Sequence, residues 1–137
     1  MDPAALRDFG TRYAAAWSSQ DAARVASFFA EDGSLTINDG KPSVGRAALT
    51  AAAQGFMTSL PDMVVTMDTL VVTGRDVVFR WTLTGTNTGP GGTGNAVHIS
   101  GFEEWTIDRD GLIAASLGHY DAADYDRQIR EGAPGAN

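Results

Sequence analysis

Residues 95–125, NAVHISGFEEWTIDRDGLIAASLGHYDAADY, constrain the fold more than any other stretch of this chain. Two apolar-rich runs flank a polar segment at 108–111, which is typical of two antiparallel strands joined by a three-residue turn. Gly111 supplies the left-handed backbone conformation that a bulged turn needs. We therefore predict a long hairpin with these pairs: Ile107 with Ile113, Trp105 with Ala115, Glu103 with Leu117, Gly101 with His119, and Ile99 with Asp121.

The paired residues share one face of the predicted hairpin, because side chains alternate along a strand. That face is mostly apolar and should be buried, yet it carries Glu103, His119 and Asp121. An unpaired carboxylate costs several kcal/mol to bury. Either these three groups meet one another and water in a cavity, as a catalytic site would require, or the register differs. A further alternative is that His119 and Asp121 lie at the solvated end of the strand.

The rest of the chain alternates between helical and strand patterns. Apolar spacing predicts helices at residues 3–18, 46–59 and 122–131, and a short second helix that ends at Asp32-Gly33. Further strands are predicted at 34–38, 63–73 and 76–87, the last two joined by a turn at Gly74-Arg75. This order indicates an α+β fold, in which N-terminal helices cover a curved, mostly antiparallel sheet and enclose a pocket. We expect one domain over residues 1–131 and a flexible tail at 132–137.

Tyr13 and Trp17 lie on the inner face of the first predicted helix. Both are amphipathic aromatic residues, and such residues are suited to the mouth of a pocket. The alternative is that both belong to the core.

Composition excludes several classes of partner and site. A formal charge of −7 argues against nucleic acid and anionic membranes, because both attract positive surfaces. The sequence has no long apolar run and no secretion signal at its N-terminus, so a cytoplasmic protein is expected. It has no cysteine, and His98 and His119 lack metal-binding spacing, so we predict neither a disulfide nor a metal site.

The segment GPGGTG at residues 89–94 is glycine-rich but joins two predicted strands. Phosphate-binding loops of this composition open a helix, so no nucleotide site is predicted here. His98 falls on the outward face in the predicted register, where a surface or interface role is expected.

Four segments resemble one protein family: LPDM at 60–63, RWTLTGTNTG at 80–89, TGNAVHISGFE at 93–103 and DGLI at 110–113. They are similar to segments of the SnoaL-like polyketide cyclases, which belong to the nuclear transport factor 2-like superfamily with ketosteroid isomerases and limonene epoxide hydrolases. The resemblance covers about residues 8–130 and implies a cone-shaped α+β fold. Asn87 stands where the cyclases have a histidine, and Gly101 where the epoxide hydrolases have an arginine.

The resemblance also implies roles for two carboxyl groups. Asp121 matches the aspartate that acts as acid/base in an intramolecular aldol ring closure, a reaction that requires no cofactor or metal. Glu103 matches the acid that hydrogen-bonds the developing oxyanion in ketosteroid isomerases, a role that needs a protonated carboxyl group.

We therefore predict a cofactor-free cyclase or isomerase that acts on a small hydrophobic carbonyl compound. Asp121 is the expected acid/base, and His119 and Glu103 assist it. The expected pocket lining is Tyr13, Trp17, Phe79, Trp81, Asn87, Trp105 and Leu117. Two alternatives remain open, a ligand-binding module without chemistry and an interaction module that uses the outer face of the sheet. We also expect a homodimer through that face.

Overall fold

The computed structural model describes residues 2–74 and 76–134. Its elements, in chain order, are α1 (Pro3–Ser18), α2 (Ala22–Ala26), β1 (Phe29–Ile37), β2 (Ser43–Val44), α3 (Arg46–Ser59), β3 (Val64–Thr73), β4 (Asp76–Thr86), β5 (Ala96–Ile107), β6 (Ile113–His119) and α4 (Ala122–Glu131). The predicted helices at 3–18, 46–59 and 122–131 are confirmed.

Three helices begin at an aspartate that caps the first turn. Asp2 accepts a 2.7 Å hydrogen bond from the backbone N–H of Ala5, and Pro3 occupies the first helical position. Asp21 and Asp121 cap α2 and α4 in the same way. These caps satisfy backbone donors that have no partner within the helix, which is why the helix starts are visible in the sequence.

The strands form one sheet in the order β2-β1-β6-β5-β4-β3. Neighbouring strands are antiparallel except β1 and β6, which are parallel. Helix α1 packs against the inner face of the sheet, and α3 packs against α2 and β1. The α+β prediction, a mostly antiparallel sheet covered by helices, is confirmed.

Strand β1 begins earlier than predicted. Helix α2 ends at Ala26, so Asp32-Gly33 lies inside β1 and does not terminate a helix. The pairing of β1 with β6 shifts between Phe29 and Ser34. A Cβ atom at Gly33 would lie 2.8 Å from the carbonyl oxygen of Ile113, so a glycine permits this close approach of two backbones.

The turn of the long hairpin forms as predicted. Asp108 Oδ1 accepts hydrogen bonds from the backbone N–H groups of Asp110 and Leu112 at 2.9 and 3.0 Å. Gly111 has φ of +78°, the left-handed conformation. The first pair, Ile107 with Ile113, is also as predicted.

The predicted register beyond that first pair is wrong. Thr106 pairs with Ala115, so Ala114 is an extra residue in β6 and every later pair shifts by one. Trp105 therefore pairs with Ser116, Glu104 with Leu117, and Phe102 with His119. Because a shift of one residue reverses the face, Ser116 is buried while Leu117 is 48% exposed.

Beyond the end of β6, helix α4 lies beside β5. Gln128 Oε1 accepts a 2.7 Å hydrogen bond from the backbone N–H of His98, and Ala133 N–H donates to Ala96 O at 2.8 Å. The side chain of His98 is exposed. Residues 135–137 of the predicted tail and Arg75 of the predicted turn lie outside the described residues, and the flexible tail stays a prediction.

Candidate ligand-binding cavity

A half-open cavity of about 60 Å³ lies between the inner face of the sheet and the helices. Its lining is formed by Trp17, Leu35, Ile37, Phe56, Val65, Phe79, Trp81, Leu83, Ile99, Glu103, Gly118, His119 and Tyr120. Apolar and aromatic side chains dominate, and Glu103 is the carboxyl group among them. Such a mostly apolar cavity with a few polar groups is typical of a small-molecule site.

Glu103 is buried, with 7% of the residue exposed. Its Oε1 accepts hydrogen bonds from Ser116 Oγ at 2.7 Å, Tyr13 Oη at 3.0 Å and Trp105 Nε1 at 3.1 Å. Three different elements, α1, β5 and β6, thus hold one oxygen in place. Among the described residues, the second oxygen, Oε2, has only a longer contact of 3.3 Å with Tyr13 Oη, so it keeps hydrogen-bonding capacity.

Burial controls the protonation of this cluster. Desolvation raises the pKa of Glu103, and the donors Ser116, Trp105 and Tyr13 oppose that rise without cancelling it. Desolvation, together with the charge of Glu103, raises the pKa of Tyr13 well above its ordinary value. Glu103 therefore holds its proton to a higher pH than an exposed glutamate, while Tyr13 stays a neutral donor.

Stacked aromatic rings support the carboxyl group from behind. Phe79 and Trp105 stack with centroids 4.9 Å apart, and the ring of Tyr13 meets both edge to face, at 5.4 and 5.2 Å. Close packing of this kind restricts rotamers. Glu103 is consequently held in one orientation.

The structure brings some of the predicted pocket residues together and separates others. Trp17, Phe79 and Trp81 line the cavity. Tyr13 and Trp105 lie in the buried layer behind it, bonded to Glu103. The prediction that Leu117 lines the pocket is wrong, because the shifted register places it on the outer face.

The prediction that Asn87 lines the pocket is also wrong. Its side chain lies outside the cavity lining and holds a loop by hydrogen bonds. Its Nδ2 donates to Ser59 O and Ser59 Oγ, at 3.1 and 2.8 Å. Its Oδ1 accepts from Thr93 N–H at 2.9 Å. These bonds fasten the glycine-rich loop to the end of α3.

His119 and Asp121 do not meet Glu103 as the predicted register required. His119 Nε2 lies 2.7 Å from Glu104 Oε2, and its ring stacks on Phe102 at 4.6 Å, both on the outer face. Asp121 caps α4 by accepting from Asp124 N–H at 3.0 Å. It lines an outer groove that shares Trp81, His119 and Tyr120 with the cavity.

The sequence analysis missed several residues around the cavity, among them Ser116, Phe56 and Tyr120. The predicted register puts Ser116 on the outer face. Phe56 follows the buried Leu49 and Ala53 of α3 at helical spacing, so the periodicity could have indicated it. Tyr120 follows β6 directly and had no sequence signal of its own.

The sequence model of the SnoaL-like domain family matches residues 11–116. This match spans most of the chain, from the second half of α1 to Ser116 in β6, and includes Glu103. The chain belongs to the SnoaL-like domain family. No curated relative matches the sequence.

Solved structures confirm the fold of this SnoaL-like protein. A protein of ketosteroid isomerase-like fold from Catenulispora acidiphila DSM 44928, in complex with trimethylamine, superposes with a TM-score of 0.79 at 18% identity, covering 95% of this chain and 98% of that one. An NTF2-like protein of unknown function from Burkholderia pseudomallei K96243 gives 0.76 at 19% identity, covering 90% and 95%. A candidate SnoaL-like polyketide cyclase from Jannaschia sp. CCS1 gives 0.76 at 17% identity, covering 97% and 99%. At such identities the likeness establishes the shared fold.

Within the described part of this SnoaL-like chain, no cluster of three or more metal-ligating side chains of His, Asp or Glu occurs. None of its described helices has the length and apolar character needed to cross a membrane.

Proposed function

We propose that the protein binds a small, neutral, apolar carbonyl compound in the cavity and catalyses a cofactor-free isomerisation or cyclisation. The observation that carries this proposal is the buried Glu103 in the lining of a mostly apolar cavity. A carboxyl group whose pKa is raised by burial holds a proton and can donate it to a carbonyl oxygen on which charge develops.

The chemistry needs a second group that removes a proton from the carbon beside the carbonyl. Asp121 is our candidate for this base, because it matches the acid/base aspartate of the cyclases that the chain resembles. His119 is proposed to assist it. Support comes from the shared wall, since Trp81, His119 and Tyr120 border both the cavity and the groove of Asp121. Asp121 takes the proton from the carbon beside the carbonyl while Glu103 hydrogen-bonds the carbonyl oxygen. Return of a proton to a different carbon of the ligand gives the isomer.

Proton exchange tests this proposal without knowledge of the natural substrate. Acetophenone is incubated with the protein in D₂O, and deuterium entering the methyl group is followed by NMR. We expect exchange with the wild type and a loss of at least about 100-fold in Glu103→Gln and in Asp121→Asn. Glu131→Gln, an exposed carboxylate on α4, is the matched control and should exchange at the wild-type rate. Equal rates in all four proteins would exclude the catalytic proposal.

One observation favours a second candidate, a ligand-binding protein without chemistry. Asp121 lines the outer groove, and its Oδ1 caps α4. A cavity with one carboxyl group can hold a carbonyl compound without enolising it. Saturable binding of acetophenone with no deuterium exchange would establish this candidate.

We also propose that the protein is a homodimer, assembled through the outer face of the sheet. Phe102 and Leu117 lie there, and Leu117 is half exposed, as are Val64 and Val71 on β3. An open sheet face with apolar residues is well suited to a two-fold interface. Light scattering should give twice the mass of one chain, and Leu117→Lys should halve it. A wild-type monomer at high concentration would refute the proposal. The cytoplasmic location stays a prediction.

A further inference from the structure

Asn38 has a backbone conformation that favours glycine. It follows the last residue of β1, and its φ is +52°, in the left-handed region. Among the described residues, Gln20 in the turn between α1 and α2 is the one other non-glycine residue with a positive φ. A side chain makes this conformation less favourable, although Asn tolerates it better than most residues do. The side chain of Asn38 is therefore expected to make a contact that offsets this cost.

Asn38 holds the end of β6 at two points. Its backbone N–H donates to Gly118 O at 2.8 Å, and its side-chain Oδ1 accepts a 3.0 Å hydrogen bond from the backbone N–H of Tyr120. The regular pairing of β1 with β6 ends at Ile37 with Gly118. The Asn38 side chain thus takes the place of a backbone carbonyl and continues this pairing beyond β1.

The Asn38 hydrogen bond acts one residue before Asp121. Asn38 lines the outer groove together with Asp121, while Tyr120 lines both the groove and the cavity. On its other side Asp121 is held by α4, because its Oδ1 accepts a hydrogen bond from the N–H of Asp124. The position of the Asp121 carboxylate therefore depends on two attachments, the helix that follows it and the backbone that Asn38 holds.

The ring of Tyr120 has supports of its own. It meets the rings of Trp81, Phe56 and Tyr125 edge to face, with centroids 6.1, 6.5 and 5.9 Å apart. Asn38 takes no part in these contacts. Loss of the Asn38 side chain should therefore leave the ring in the cavity wall and release only the backbone that leads into Asp121.

We propose that Asn38 is a positioning residue for Asp121. Its Oδ1 holds the backbone of Tyr120, so that the Asp121 carboxylate stays where it can take a proton from the bound ligand. Proton transfer needs groups within hydrogen-bond reach, and a displacement of about 1 Å can cost about 100-fold in rate. The inference rests on the proposed function, because it takes Asp121 as the base. Asn38 acts through Asp121 and needs no contact with the ligand.

Substitution by glycine isolates the contribution of the side chain. Asn38→Gly permits the same φ and keeps the backbone N–H that bonds Gly118, so it removes only the acceptor of the Tyr120 N–H. We expect the maximal rate of deuterium entry into acetophenone to fall at least about tenfold. The acetophenone concentration that gives half this rate should change less than about twofold, because the cavity wall is intact. The free energy of unfolding should change little, since relief of the left-handed conformation opposes loss of the hydrogen bond.

Two further variants are the controls. Asn38→Asp keeps an acceptor oxygen, and at about pH 8, where both carboxylates are ionised, it should exchange within about threefold of the wild type. Gln20→Gly removes the same kind of backbone strain far along the chain from Asp121, and it should exchange at the wild-type rate. A purely structural role of Asn38 would reduce stability and exchange together, whereas a positioning role reduces exchange alone.

The hydrogen bond can also be measured without catalysis. The backbone N–H of Tyr120 should exchange with solvent deuterium slowly in the wild type and at least about tenfold faster in Asn38→Gly. Asn38→Asp should resemble the wild type. If Asn38→Gly fails to fold, the wild type still decides, because an unprotected Tyr120 N–H there would overturn the proposal.

The possible failures are distinguishable. Deuterium entry into acetophenone at the wild-type rate in Asn38→Gly, or an equal loss in Gln20→Gly, would overturn the role of Asn38 and leave the proposed function standing. Acetophenone that binds to the wild type but takes up no deuterium would overturn the catalytic function and the positioning role with it. A protected Tyr120 N–H in that case would assign Asn38 to the structural link between β1 and β6 alone.

Discussion

The hydroxyl of Ser116 donates a 2.7 Å hydrogen bond to Oε1 of Glu103, from the strand adjacent to that of the carboxyl group. This contact exists because Ala114 is an extra residue in β6 and turns Ser116 inward. In a regular hairpin Ala115 would face the core and Glu103 would lose one of its three donors. A single bulge therefore decides how the central carboxyl group of the cavity is held.

The raised pKa of Glu103 predicts a specific dependence of stability on pH. Below its usual pKa of about 4.5 the group is protonated in both folded and unfolded chains. As the pH rises further, the unfolded chain releases this proton first, so the stabilisation due to Glu103 declines until the pH passes the raised pKa. The free energy of unfolding of the wild type minus that of Glu103→Gln should fall over this window, by at most about 1.4 kcal/mol per pH unit. A difference that stays constant or grows with pH would contradict the prediction.

Removal of the Ser116 donor should raise the pKa of Glu103 further, since the hydrogen bond from Ser116 lowers it. Ser116→Ala should lower the free energy of unfolding by about 1–3 kcal/mol, and the loss should be larger at a pH where Glu103 is ionised than at one where it is neutral. Urea denaturation at two pH values measures both. Ser100→Ala is the control, because that serine is exposed and bonds Thr82 on the outer face, and it should cost less than about 0.5 kcal/mol. Equal losses for the two variants would be evidence against a special role of Ser116.

Two substitutions of Asp121 separate its capping role from a catalytic one. Asn caps a helix about as well as Asp, so Asp121→Asn should change the free energy of unfolding by less than about 0.5 kcal/mol. Asp121→Ala removes the bond to Asp124 N–H and should cost about 1 kcal/mol. Both variants should lose deuterium exchange if Asp121 is the base. Full exchange in Asp121→Asn would assign Asp121 to the helix cap alone.

Gly101 provides a test of packing at the cavity wall. A Cβ atom there would overlap the carbonyl oxygen of His119 and lie 2.6 Å from Cζ2 of Trp81. Gly101→Ala should therefore destabilise the fold by about 1–3 kcal/mol and displace the Trp81 indole, which near-ultraviolet circular dichroism detects. Gly55→Ala, inside α3 with no atom within 4 Å of the new methyl group, should instead stabilise by about 0.5–1 kcal/mol. Destabilisation of similar size in both variants would show that the overlap is not the cause.

Features with a local physical cause were predictable from the sequence. The bounds of α1, α3 and α4 follow from capping and apolar spacing, and the turn at Gly111 follows from its composition. The identity of Glu103 as a carboxyl group on an apolar face was also visible. What could not be predicted depends on contacts between distant segments. The bulge at Ala114 lies where β6 leaves regular pairing with both β5 and β1.

The sequence by itself determined the α+β class, the three longer helices, the hairpin turn and the presence of a glutamate in a mostly apolar strand, because hydrophobic periodicity, capping and turn chemistry act over a few residues. Only the tertiary structure decided that Ser116 faces Glu103, and that the side chain of Leu117 and the ring of His119 lie on the outer face. A register shift of one residue changes no local signal, yet it reverses the face of every later side chain. Which register is more stable depends on the packing of β1, β5 and β6, which come together only in the folded protein.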